Sequence, residues 1–163
     1  MLRKVFFSFH YQEDIFRVNV VRKSGVVMGN SAAGFLDASL WEKTKKKGVK
    51  AVKSLIDRGL EGTSVTCVLI GQKTASRKYV TYEIEQSVKK GNGLLGIHIN
   101  DIKDIKGDTN FWRGDVPAAL EKHGAPIYDW DVNSFRNWVE DAYQRANEGP
   151  PKDIFESIGR MFR

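Results

Sequence analysis

Cysteine and long apolar runs are what this 163-residue chain has least of. Its one cysteine, Cys67, lies inside the apolar string "SVTCVLI". It reads as a buried core thiol, because cysteines in apolar surroundings are usually inert. A single cysteine excludes a disulfide-stapled secreted scaffold. No apolar run approaches the roughly 20 residues a membrane span needs. The opening "MLRKVFFSF" is too short and too aromatic for a signal peptide, and a polar stretch follows at once. A soluble, cytoplasmic protein is expected. Zinc-finger spacing and RNA-binding signatures are also missing, so specific nucleic-acid binding is not expected.

What is present is globular: 41% hydrophobic and 28% charged residues, with 4 Trp, 5 Tyr and 9 Phe. The length suits one domain. A net charge of +6 fits a plain basic surface as well as it fits an anionic small ligand such as a dinucleotide. The lysines are scattered, apart from the run at 45–47.

Strand and helix patterns alternate along the chain. "RKVFFSF" (3–9) predicts a buried strand. The next stretch, with Ile15, Phe16, Val18, Val20 and Val21, mixes both periods and supports a helix with a wide buried face. Residues 25–34 read as a loop and 34–39 as a short strand ending near Asp37. Residues 45–62 predict an amphipathic helix through Val49, Val52, Leu55 and Ile56. "SVTCVLIG" (64–71) is the strongest strand and should be covered on both faces. "SRKYVTYEIEQSVKKG" (76–91) predicts a helix with Ser76 as N-cap and Gly91 just past its end. "GLLGIHIN" (93–100) predicts a central strand, 101–126 an irregular connection, 126–130 a last short strand, and 131–147 a helix. The fold class is α/β: one open, mostly parallel five-stranded sheet with helices on both faces. The domain should cover 1–147. The tail 148–163 carries an amphipathic stripe (Ile154, Phe155, Ile158, Met161, Phe162) suited to packing back or to a partner contact.

Ligands of such sheets bind at the carboxyl ends of the strands. "SFHYQED" brings Ser8, His10, Tyr11, Glu13 and Asp14 there, "DASLWE" brings Asp37, Ser39 and Trp41, and "GQKTASRKY" leads into a helix. Each has an ordinary reading: His10 as a loop histidine, Asp37 as a cap, Trp41 as core, residues 45–47 as a solvated helix start. A phosphoryl-receiver site would need an aspartate at the end of the central strand, where "VLIGQKT" has none. A phosphate-cradling loop would need a Gly-rich strand-to-helix turn, whereas "GNGLLG" leads from a helix into a strand.

Taken together, "RKVFFSFHYQED", "FLDASLWEK", the stretch 64–100 and "YDW" resemble the TIR-like (Toll/interleukin-1 receptor-like) family, and within it the TIR-like proteins of the bacterial Thoeris anti-phage system. The resemblance covers roughly 3–145. Phe7-Ser8-Phe9 matches the family's strand-one signature. Ser76, Tyr79, Val80 and Glu83 match its helix motif, with tyrosine where the family more often has tryptophan. The resemblance implies a catalytic Glu83 and a substrate pocket walled by Phe7, Ser8, His10, Asp37, Ser39, Trp41 and Tyr79. It implies cleavage of NAD at the nicotinamide–ribose bond, with NAD as substrate and neither cofactor nor metal. The product would be ADP-ribose or a cyclic isomer that reaches an effector protein by diffusion. Self-association is implied as well. Two other functions stay open: a TIR-like module that only binds other proteins, and a nucleoside deoxyribosyltransferase-like enzyme working through a covalent intermediate. Helical geometry sets Glu83 on the Tyr79 face and Glu85 about 200° away, where it is expected to be solvated and to pair with Lys89.

Overall fold

The computed structural model describes residues 2–25, 27–31 and 38–148. The elements run β1 (Lys4–Ser8), α1 (Tyr11–Arg22), β2 (Met28–Asn30), α2 (Ala38–Lys46), α3 (Val49–Leu60), β3 (Val65–Ile70), a 3₁₀ turn (Thr74–Ser76), α4 (Lys78–Lys90), β4 (Gly93–His98), α5 (Ala118–Lys122), β5 (Ile127–Asp129) and α6 (Val132–Glu148). The five strands pair in the order β2-β1-β3-β4-β5, parallel throughout.

Both faces are covered, which is why β3 is apolar at nearly every position. On one face Val5 and Phe7 of β1, Cys67 and Leu69 of β3 and Leu95 and Ile97 of β4 pack on Val18 and Val21 of α1 and on Phe135 and Val139 of α6. On the other, Val68 and Ile70 meet Val80 and Ile84 of α4 and Leu120 of α5, while Phe6 meets Val52, Ile56 and Leu60 of α3. Burial raises the Cys67 thiol far above its ordinary range, consistent with a core role.

Several local expectations need correction. The second strand lies at Met28–Asn30, inside the stretch read as loop. Of the strand expected at 34–39, residues 34–37 lie outside the described residues, and 38–39 open α2. The helix expected over 45–62 is two helices, because Gly48 takes φ +104°, a backbone that only glycine adopts without strain. Ser76 does not cap α4. It closes the 3₁₀ turn by donating to the Lys73 carbonyl at 2.9 Å, and Arg77 takes the N-cap position without a side-chain cap. Gly91 does end α4 in the left-handed region. Helix α6 runs through Glu148, one residue past the expected domain end, and the stripe at 154–162 lies outside the described residues.

The connection after β4 is irregular but tethered. Arg17 of α1 donates to the carbonyls of Ile102 (2.7 Å) and Asp108 (3.1 Å). His98 Nδ1 lies 3.1 Å from the Arg113 carbonyl. At Gly114 a side-chain carbon would run into the Gly71 carbonyl, and at Gly71 it would run into the Asp14 carboxylate, so α1, the end of β3 and this loop meet with no room for side chains.

Candidate active site

The chain leaves β1 toward β2 on one side and resumes at β3 on the other. Their carboxyl ends therefore diverge, which is where ligands of such sheets bind. A cleft of about 320 Å³ opens at this point between His10, Trp41, Arg77, Tyr79 and Glu83, a volume typical of small-molecule sites. A small inner recess continues it toward Phe7 and Ser31.

Its walls are aromatic. Phe9 stacks on Tyr11 with centroids 4.8 Å apart, Tyr11 on Trp41 at 6.1 Å, and Trp41 meets the Tyr79 edge at 5.8 Å. These rings come from the β1–α1 connection, the start of α1, α2 and α4. None is adjacent in sequence to all the others, so only the fold unites them.

Glu83 forms the floor. It is 4% exposed, one turn below Tyr79 on α4, and no salt bridge reaches it among the described residues. Burial raises its carboxyl well above the ordinary range, and the Ser8 hydroxyl opposes that weakly. Ser8 Oγ is buried and makes no hydrogen bond of ordinary geometry among the described residues, so it faces Glu83 as a nearby dipole. One turn on, Ser87 Oγ donates to the Glu83 carbonyl (2.6 Å) and receives from Thr66 Oγ (2.7 Å). This fixes the α4 turn that carries Glu83 against β3.

His10 is buried beside the cleft, its Nδ1 3.9 Å from Glu13. Burial first, and then the neighbouring Arg77, lower its pKa, so the ring stays neutral near pH 7. Glu13 itself is held by Lys73 at 2.6 Å.

Of the residues expected at the site, Glu83, His10, Trp41 and Tyr79 line the cleft directly. Ser8 lies behind it against Glu83. Phe7 touches only the inner recess, and its ring packs on Phe135 of α6, 6.4 Å centroid to centroid. Asp37 and the Ser39 side chain lie outside the described residues. Sequence reading passed over Phe9, Lys45, Arg77 and Lys78 as lining residues, and left Tyr11 out of the pocket. Two signals could have found some of them: Lys45 follows Trp41 by one helical turn, and Arg77-Lys78 open the helix that carries Glu83.

Among the described residues, no group of three or more His, Cys, Asp or Glu side chains could hold a metal ion, and no helix is long and apolar enough to cross a membrane.

The sequence model of the family described as Thoeris protein ThsB, TIR-like domain, matches residues 6–104. That span holds every described residue of the cleft. The chain is also 42% identical, over 174 aligned positions covering 100% of this chain and 91% of the relative, to a Bacillus cereus (strain MSX-D12) protein named "Putative cyclic ADP-D-ribose synthase ThsB1".

Proposed function

The chain belongs to the Thoeris ThsB TIR-like family, and from that premise we propose that it is an NAD-processing enzyme. It cleaves the nicotinamide–ribose bond and closes the ADP-ribosyl product into a cyclic ADP-ribose-type signal. Glu83 carries this reading: one buried carboxyl at the floor of an aromatic-walled cleft, with no salt bridge to it among the described residues. Nicotinamide leaves NAD as a neutral ring from a cationic one and needs little acid assistance. The transition state resembles an oxocarbenium ion, so a carboxylate near the ribose stabilises the charge that develops. Desolvation raises the Glu83 carboxyl well above its ordinary range. A bound cationic nicotinamide would draw the proton off by favouring the carboxylate. Trp41 and Tyr79 supply faces for stacking. In this reading NAD is the substrate, no cofactor takes part, and adenine is the internal acceptor that closes the ring, with water the competing acceptor that gives ADP-ribose. The relative's printed name supports the cyclic product.

The product would reach its effector by diffusion. Self-association completes the reading, and the loop after β4, which leaves Ile105, Phe111 and Trp112 exposed, is the apolar surface such contacts would use. The test is NAD consumption by the purified protein beside Glu83→Gln, with products resolved by mass and retention. Free nicotinamide from the wild type alone, with a cyclic second product, is the expected result. Absence of turnover, even in lysate of phage-infected cells, would favour a purely protein-binding module. Turnover of nucleosides instead of NAD would favour the deoxyribosyltransferase-like chemistry.

A further inference from the structure

Arg77 is a cation in the cleft wall that makes no salt bridge among the described residues, although it lies near enough to Glu13 to help lower that carboxyl. It precedes α4 in extended backbone (φ −88°, ψ 116°) and gives the first turn no side-chain cap. Its Nε is buried without a hydrogen-bond partner among the described residues, and no salt bridge among them reaches its guanidinium. The neighbouring cations differ. Lys73 is held by Glu13 at 2.6 Å, Lys45 lies 3.7 Å from Glu42, and Lys78 sits over the Tyr79 ring at 5.0 Å. A buried, unpaired guanidinium nitrogen carries a desolvation cost that an anion would remove. The uncapped start of a 13-residue helix leaves backbone N–H groups open at the same place. His10, 8% exposed, also lines the cleft, and its Nδ1 makes no hydrogen bond among the described residues, with Glu13 3.9 Å away. Glu83 is the one carboxylate among the described lining residues. The cleft is thus anion-seeking at its mouth and acidic at its floor.

We propose that Arg77, beside the open first turn of α4, reads the diphosphate of the substrate whose ribose Glu83 serves. This rests on the NAD reading above and assigns it a specificity-determining residue. Arg77 and Glu83 are separated by about 9 Å along the helix axis, a span that a ribosyl phosphate can bridge. The guanidinium fork suits two phosphate oxygens at once, which a lysine ammonium does not.

The test uses the full chain in two arms. In the first, Arg77→Gln should raise KM for NAD about 10- to 100-fold with kcat held within a few-fold, and Arg77→Lys should recover part of the loss. In the second, ADP is titrated calorimetrically into Glu83→Gln protein with and without Arg77→Gln, and nicotinamide is titrated in parallel. ADP affinity should fall by a similar factor while nicotinamide affinity stays level. Equal ADP affinity with and without Arg77, or no ADP binding to the protein that retains it, would overturn the assignment. Melting temperature checks folding, and removing an unpaired charge should not lower it. If the wild type never consumes NAD but loses ADP binding with Arg77, the anion subsite stands and only the enzymatic reading falls.

Discussion

Glu83 and Glu85 stand two residues apart on α4 and live in opposite surroundings. Glu83 is buried under aromatic rings and makes no salt bridge among the described residues. Glu85, about a third exposed, is clamped from α5 by Lys122 at 3.2 Å and by His123 at 3.2 Å. One carboxyl is raised by desolvation, and the other is lowered, first by the His123 hydrogen bond and then by Lys122. The same side chain in the same helix is therefore kept available in one place and neutralised in the other. What separates them is which face of α4 meets the divergence of β1 and β3, and which meets α5.

The sharpest way to break this contrast is Glu83→Gln. The proposed turnover should fall about 10²–10³-fold, the scale of removing one electrostatic stabiliser of a transition state, with no loss of folding stability, because burial disfavours the Glu83 carboxylate and the amide brings no charge to bury. A variant that keeps most of its turnover would move the chemistry elsewhere.

The pH dependence sharpens the same point. If the carboxylate is the working form, kcat/KM must be low in acid and rise with pH through a midpoint well above the ordinary carboxylate range, since burial raises Glu83 in the free enzyme. A cationic ligand favours the carboxylate, so the midpoint in kcat should lie lower than that in kcat/KM. Identical midpoints, or activity falling as pH rises through this range, would contradict the assignment.

The alternation of β-branched runs with amphipathic stretches made the parallel sheet legible, and the 79–83–87 spacing placed Glu83 on the inward side. Shorter and less regular pieces did not show themselves. β2 is three residues in a Gly-rich stretch, with too few positions to display a period. α2 begins inside the stretch 34–39 that reads as strand, and Gly48 hides a helix break inside a continuous amphipathic pattern. Phe7, assigned to the pocket by motif, reaches only the inner recess beside Glu83. Glu85 was expected to pair with Lys89 on its own helix, but α5 supplies its partners, a long-range contact that local spacing does not encode. Arg77 was overlooked for a related reason: whether a cation is paired depends on what the fold brings next to it.

A second buried carboxyl tests whether burial alone explains Glu83. Asp14 is 2% exposed, pressed against Gly71, and its pKa is raised to about 6 by burial first and Glu13 second, with Arg17 and Thr74 opposing. Because the folded value lies above the unfolded one, its stabilising contribution is complete below about pH 4 and lost as pH rises through about 6. Asp14→Asn should therefore be more stable than wild type above pH 6, by up to about 3 kcal/mol, and the two should converge near pH 4. Thermal unfolding at pH 4.5 and pH 8 reads this directly. A less stable variant at pH 8 would mean that the Asp14 charge holds the α1–β3 contact together.

The smallest effect belongs to Glu85. Its pKa is lowered in the folded protein, so its contribution is present above the ordinary carboxylate range and fades as pH falls through it. Exposed pairs of this kind contribute little and are screened by salt. Glu85→Gln should shift the melting temperature by at most about 2 °C at low ionic strength, and the shift should vanish at about 1 M salt, where the screening length is about 3 Å. Turnover should not change, because Glu85 does not line the cleft and the α4 turn at Glu83 is fixed from the other side by Ser87 and Thr66. A loss of turnover in this variant without loss of stability would show that α5 positions Glu83 through α4, and the two glutamates would then have to be treated as one coupled unit.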